Sequence, residues 1–175
     1  MKKFYFSLAA LVIIVDQITK HMADTQLIMH EQNPVMPFFN FTLMYNYGAA
    51  FSFLSTAGGW QRWFFTIIAL VISVILVVWL WRLKPQEKWL GFGLSLVLGG
   101  AIGNVIDRMR FGYVVDFIQW FANWGENTYY WPAFNIADAA IFTGTALILI
   151  TSFFVVDETS DTPDATSTEN QSPKS

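Results

Sequence analysis

Two acids stand where acids are expensive. Asp116 lies inside "FGYVVDFIQWF" and Asp138 inside "FNIADAAIF", runs that otherwise read as buried or lipid-facing. Two carboxylates brought close in such surroundings cannot both ionise cheaply, so one keeps a proton and the other does not. Such a pair can split water across a peptide bond. The ionised acid takes a proton from a water attacking the carbonyl carbon, while the protonated acid hydrogen-bonds the carbonyl oxygen; the roles then reverse to protonate the leaving amine. Taken singly, each acid also has a plain structural reading. Asp138 suits the positive end of a helix starting just after Pro132, and period two puts Asp116 on the same side of an extended "YVVDFI" as Val114 and Ile118.

Other polar residues cluster around this pair in type and spacing. "DQITK" sets Asp16 and Lys20 four residues apart on one helical face, as an internal ion pair, a helix-end anchor or part of a site. In "GGAIGNVIDRMR", Gly99 and Gly103 are a small-residue pair that lets helices approach, and Asn104 and Arg108 share a face one turn apart. Gly99, Gly100 and Gly103 suit either the close approach of a substrate helix or packing within the protein. Asp107 reads as a solvated helix-end charge or a partner of Arg108, and Arg110 as an interface anchor. Asn135 and Asp138, three apart, share the first turn of their helix. "YGAAFSF" offers Gly48 and two alanines, which suit a turn or a close backbone approach.

Several chemistries are poorly supplied. The absence of cysteine removes thiol nucleophiles, disulfides and thiolate metal sites. His21 and His30 are the only histidines and form no H-E-x-x-H pattern, so no metal site is expected. A Ser-Lys pair would have to use Ser52 and Lys20. "GGAIGN" follows an apolar helical run and lacks a phosphate-cradling lysine, so no nucleotide cofactor is expected. A net charge of -3 without a basic stripe gives no case for nucleic acid.

The elements that must position these residues are membrane spans. Hydrophobic residues make up 54% of the chain and charged ones 13%, about half the charged share of about 25% in ordinary soluble domains. A crossing helix needs about 20 apolar residues, and four stretches qualify: Phe4 to about Met22, Trp60 to Trp81, Trp89 to Ile106 and Ala139 to Val156. Arg62 is placed to snorkel to the interface. The opening "MKKFYFSLAALVIIV" resembles a secretory leader, but "DQITK" follows where small residues would mark cleavage, so it is expected to stay as a span. Lys2, Lys3, Arg82, Lys84 and Lys88 put both termini on the cytoplasmic side. Residues 1–156 then form one membrane domain with outer segments at 23–59 and 107–138. Within the first, "FNFTLMYN" alternates as a strand, Phe39, Phe41, Leu43 and Tyr45 facing one way. Residues 157–175 are acidic, hydroxyl-rich and too polar to repay ordering, and are expected to be a disordered cytoplasmic tail.

"DQITK", "NYGAAFS", "GGAIGNVIDR", "VVDFI" and "FNIADAAI", in this order among four apolar spans, resemble the lipoprotein signal peptidases, the bacterial type II signal peptidases. The resemblance covers about Met1 to Val156. It implies a membrane all-α fold of four helices with a small extracytoplasmic sheet and a periplasmic helix, in the bacterial inner membrane with the site at the outer face. It implies Asp116 and Asp138 as the catalytic pair. Asp16, Asn46, Asn104, Arg108 and Asn135, joined by Lys20 and Gly48 from the same motifs, would support the pair or contact substrate. The implied substrate is a prolipoprotein already carrying diacylglycerol on its lipobox cysteine, cut just before that residue; membrane lipid is the other partner. A monomer without cofactor is expected. The rival classes are a small proton- or ion-coupled carrier, which also places acids among membrane helices, and an inert scaffold.

Overall fold

A computed structural model describes residues 1–48 and 58–158, with side chains as far as Phe153. Four helices account for most of it: α1 (Lys2–Gln26), α2 (Trp60–Arg82), α3 (Lys88–Arg110) and α4 (Ile136–Glu158). Each is long and apolar enough to cross a membrane. Every expected span is present, but the helices overrun them at the polar ends. α3, expected to 106, continues to Arg110, and α4, expected from 139, starts at Ile136. Apolar runs mark the length that fits hydrocarbon, whereas helical hydrogen bonding continues wherever tertiary partners satisfy the polar side chains. The tail beyond Glu158 lies outside the described residues.

Helix α3 is the axis of the bundle. Of its most apolar stretch 61% is buried, against 22% for α1 and α2 and 11% for α4. Leu80 of α2 and Leu94 of α3 are fully enclosed among Tyr5, Ala9, Leu76, Leu83 and Leu98. The outer surface of α2 carries exposed Ile67, Val71, Val74, Ile75 and Val78, which in hydrocarbon is a solvated face rather than a defect. Two glycines decide how close the neighbours of α3 come. A Cβ at Gly103 would stand 2.6 Å from Asp16 Oδ2 of α1, and one at Gly100 would collide with the Ala137 carbonyl oxygen of α4. These faces are filled by the protein's own helices, so the packing explanation of the glycine pattern holds here.

Beyond one end of the bundle lies an antiparallel sheet in the order β1-β2-β3-β4, formed by β1 (Asn33–Met36), β2 (Phe39–Asn46), β3 (Val114–Trp124) and β4 (Asn127–Tyr130). Strand β2 has the bounds the alternation predicts. Its period slips, however: the register against β3 shifts between Phe41 and Met44, and Asn40, Thr42 and Leu43 are all buried. The bulge keeps Met44 opposite Asp116 and Asn46 opposite Val114. The separate periplasmic helix implied by the resemblance is not among the elements of the described residues.

The C-terminus of α3 is closed by a residue expected to do something else. Arg62 does not merely snorkel: its Nε donates to the Arg108 carbonyl (2.7 Å) and an Nη to the Met109 carbonyl (2.8 Å). Gly112, at φ 88°, adds its own N–H to the Arg108 carbonyl, the left-handed stop that only glycine adopts freely. The chain then turns directly into β3, which carries Asp116.

Candidate active site

Asp116 enters the site from β3 and Asp138 from the first turn of α4. Asn135 links them. Its Oδ1 accepts the backbone N–H of Asp138 (2.9 Å), capping α4, while its Nδ2 donates to Asp116 Oδ1 (2.7 Å) and to the Val115 carbonyl (3.2 Å). The helix cap is therefore also the strand anchor. The other Asp116 oxygen accepts from Asn46 Nδ2 on the neighbouring strand at 3.1 Å, and Asn46 Oδ1 holds the Gly48 N–H at 3.0 Å. Gly48 in turn offers its carbonyl to Arg108 at 2.8 Å. The remainder of "YGAAFSF", Ser52 included, lies outside the described residues.

Asp138 Oδ1 accepts from Asn104 Nδ2 at 2.8 Å. Behind Asn104 sits a buried ionic cluster. Lys20 Nζ lies 2.9 Å from Asn104 Oδ1, 2.9 Å from Asp16 Oδ2 and 2.8 Å from Asp107 Oδ2. The i, i+4 pairing of Asp16 with Lys20 is as the spacing suggests, but Asp16 also reaches across to cap another helix, accepting the Ala137 N–H of α4 at 2.8 Å. Asp107 is no solvated end charge and forms no ion pair with Arg108. It is 1% exposed, pairs with Lys20, accepts from Gln17 Nε2 at 2.8 Å and holds the Val115 N–H at 3.3 Å. Arg110 is exposed, with its guanidinium 5.0 Å from the Phe111 ring centroid.

The electrostatics follow from this packing. Burial, and then the charge of Asp138, push Asp116 up to about 7, against the pull of the Asn46 and Asn135 amides and of Lys20. Arg108, partly buried beside the Phe65 ring at 5.6 Å, directs its charge at Asp138 and Asp116. The geometry thus brings Asp116, Asp138, Asn46, Asn104 and Asn135 into one hydrogen-bonded chain, with Arg108 and Gly48 beside it and Asp16 and Lys20 behind. Gln17, not singled out in the sequence, and Asp107, expected there as a helix-end charge or Arg108 partner, belong to the same network. A usable signal existed: Asn104, Asp107 and Arg108 stand at i, i+3 and i+4, one face of one helix. Among the described residues no group of three or more His, Cys, Asp and Glu is placed to hold a metal.

Residues 8–154 match the model of the family described as signal peptidase (SPase) II. The chain is 49% identical over 154 residues to a lipoprotein signal peptidase of Alteromonas mediterranea, covering 88% of this chain and 82% of that one. It is 51% identical over 151 residues to one of Teredinibacter turnerae, covering 86% and 87%. A bacterial membrane enzyme solved by the in meso method at 2.3 Å superposes with a TM-score of 0.77 at 32% identity, over 94% of this chain and 95% of that one. A second, solved at 1.9 Å, gives 0.71 at 35% identity over 85% and 92%. The family match spans residues of all four helices and names a protease, which leaves the carrier and scaffold readings without support. A chain matched over this length, at this identity and with this fold belongs to the signal peptidase II family of proteases.

Proposed function

We propose that this protease removes the signal peptide from diacylglyceryl-modified prolipoproteins, cutting before the lipidated cysteine with Asp116 and Asp138 as its water-activating pair. The observation that carries the reading is the amide chain joining the two carboxylates. Asn135 binds Asp116 and caps the turn that presents Asp138, and Asn104 binds Asp138. With Asp116 pushed up to about 7, the pair keeps one proton near neutrality, the state that two-acid hydrolysis requires. The proton belongs to the pair rather than to one residue.

The ionised member takes a proton from water, whose oxygen forms the new bond to the scissile carbonyl carbon. The protonated member donates to the carbonyl oxygen. Collapse of the tetrahedral species breaks the C–N bond as a proton passes to the leaving amine, and the dyad returns to its starting charge. Asn46, Asn104 and Asn135 hold the carboxylates in register. Arg108 and Gly48 border the reaction volume as candidate substrate contacts, and Asp16 and Lys20 support it from behind. The site lies at the end of the bundle where α3 leaves and α4 enters. The basic residues Arg82, Lys84 and Lys88 sit at the opposite helix ends, and their tendency to stay on the cytoplasmic side supports a dyad at the outer face of a bacterial inner membrane with both termini in the cytoplasm.

The direct test of substrate class incubates purified protein with a diacylated precursor and its non-acylated twin. Cleavage of the first alone, before the modified cysteine, is the expected result; equal cleavage of both would remove the lipid from the recognition.

A further inference from the structure

The buried Lys20 has no donor left for a substrate. An ammonium has three N–H groups, and Nζ has three acceptors around it: Asp16 Oδ2, Asp107 Oδ2 and Asn104 Oδ1. With 3% of the residue exposed, it is also closed to solvent. Whatever Lys20 does for the reaction must pass through a neighbour.

Asn104 is that neighbour, and its amide has two ways to sit. Turned one way it donates to Asp138; turned the other, it aims an oxygen at a carboxylate. The choice is made at the far end of the amide, where Lys20 Nζ at 2.9 Å requires an acceptor and Asn135 Nδ2, another donor, stands at 3.4 Å. Only the carbonyl oxygen satisfies them. That leaves Nδ2 facing Asp138 Oδ1 at 2.8 Å. An ammonium on the oxygen also polarises the amide, making the N–H on the opposite side a stronger donor.

We propose that Lys20 is a positioning residue of the dyad: through Asn104 it fixes the amide that holds Asp138, and its charge, one amide away, sets the pH range in which the pair keeps a single proton. The proposal rests on the two-aspartate reading above. The charged groups facing this relay are Asp16 and Lys20 on α1, Asp107 and Arg108 on α3, Asp116 on β3 and Asp138 on α4. Of these, Lys20 is a cation that joins the dyad through a side-chain amide. Asp16 and Asp107 balance it inside the protein, and Arg108 stands on the other side, bonded to Gly48.

The sign follows directly. A cation near a carboxylate favours its ionised form, so removing that cation lets the dyad hold its proton to higher pH. The test uses Lys20→Gln and the paired Asp16→Asn/Lys20→Gln variant. In the paired variant the introduced glutamine amide can donate to Asn104 and accept from the introduced asparagine amide, so the cluster's net charge is unchanged and the Gln17 bond to Asp16 Oδ2 is given up. Folding is followed by thermal unfolding in detergent, and cleavage of the diacylated precursor is measured across pH 5 to 9, a range of about four units that brackets the dyad.

In folded Lys20→Gln the alkaline limb of kcat/KM is expected to move up by on the order of one pH unit, as a unit charge removed at this remove gives at an effective dielectric of about 20; in the paired variant, where the more distant Asp16 charge leaves with it, the move is upward and smaller. KM should be little changed, because Lys20 does not touch substrate. A folded variant whose pH profile superposes on that of the native protein would overturn the proposal. So would failure of both variants to fold, which would assign Lys20 to structure alone. An Asp116→Asn control separates the two levels: if it too cleaves, the two-aspartate reading falls, not merely the role of Lys20.

Discussion

At Asp116 opposing influences meet: burial and the neighbouring Asp138 oppose ionisation, while the amides of Asn46 and Asn135 and the charge of Lys20 favour it. Opposition wins, and the group is raised from 3.8 to about 7. Between about pH 4 and pH 7 the folded protein therefore holds in the dyad a proton that the unfolded chain has released. Stability from this group is fully present below the unfolded value and is lost as pH rises through 7. Thermal unfolding in detergent should show that decline in the native protein and a flatter profile in Asp116→Asn. Activity should fall on the same alkaline side, because the pair then loses its shared proton. Asp116 and Asp138 were legible in the sequence because an acid in an apolar run demands a reason. Asp107 was not, since Arg108 and Arg110 beside it make it look like an ordinary helix end; its burial depends on α1 and β3, which lie far away along the chain.

Among the elements, α3 positions the site by how closely it is approached. Gly103→Ala would place a methyl 2.6 Å from Asp16 Oδ2, pushing α1 away and disturbing both the Lys20 pair and the cap on Ala137. A loss of roughly 1–3 kcal/mol is expected, as for overpacked cores, read as a lowered midpoint of thermal unfolding with reduced kcat. Arg62→Ala removes two charge-assisted bonds from the α3 C-terminus and should cost roughly 1–3 kcal/mol, with the turn into β3 loosened. The spans and β2 could be read from hydropathy and alternation alone. β1 and β4 could not, because four-residue strands carry too little pattern, and the bulge in β2 is imposed by its register with β3 rather than by its own residues.

For the whole molecule, the polar network sits at one end of four apolar helices and the basic loop at the other, so topology and function are one question. The chain has no cysteine, which makes single introduced thiols clean reporters. Gln86→Cys should be modified by an impermeant reagent only after the inner face is opened, and Asn127→Cys in intact spheroplasts; the reverse pattern would invert the orientation. A chain ending after Glu158 should keep full activity, since none of the site residues lies beyond Asp138. Most directly, the account stands on the two acids acting as one unit. Asp116→Asn and Asp138→Asn, purified in the folded state, should each abolish turnover of a diacylated precursor, and combining them should add nothing further. Sustained cleavage by either single variant would contradict it.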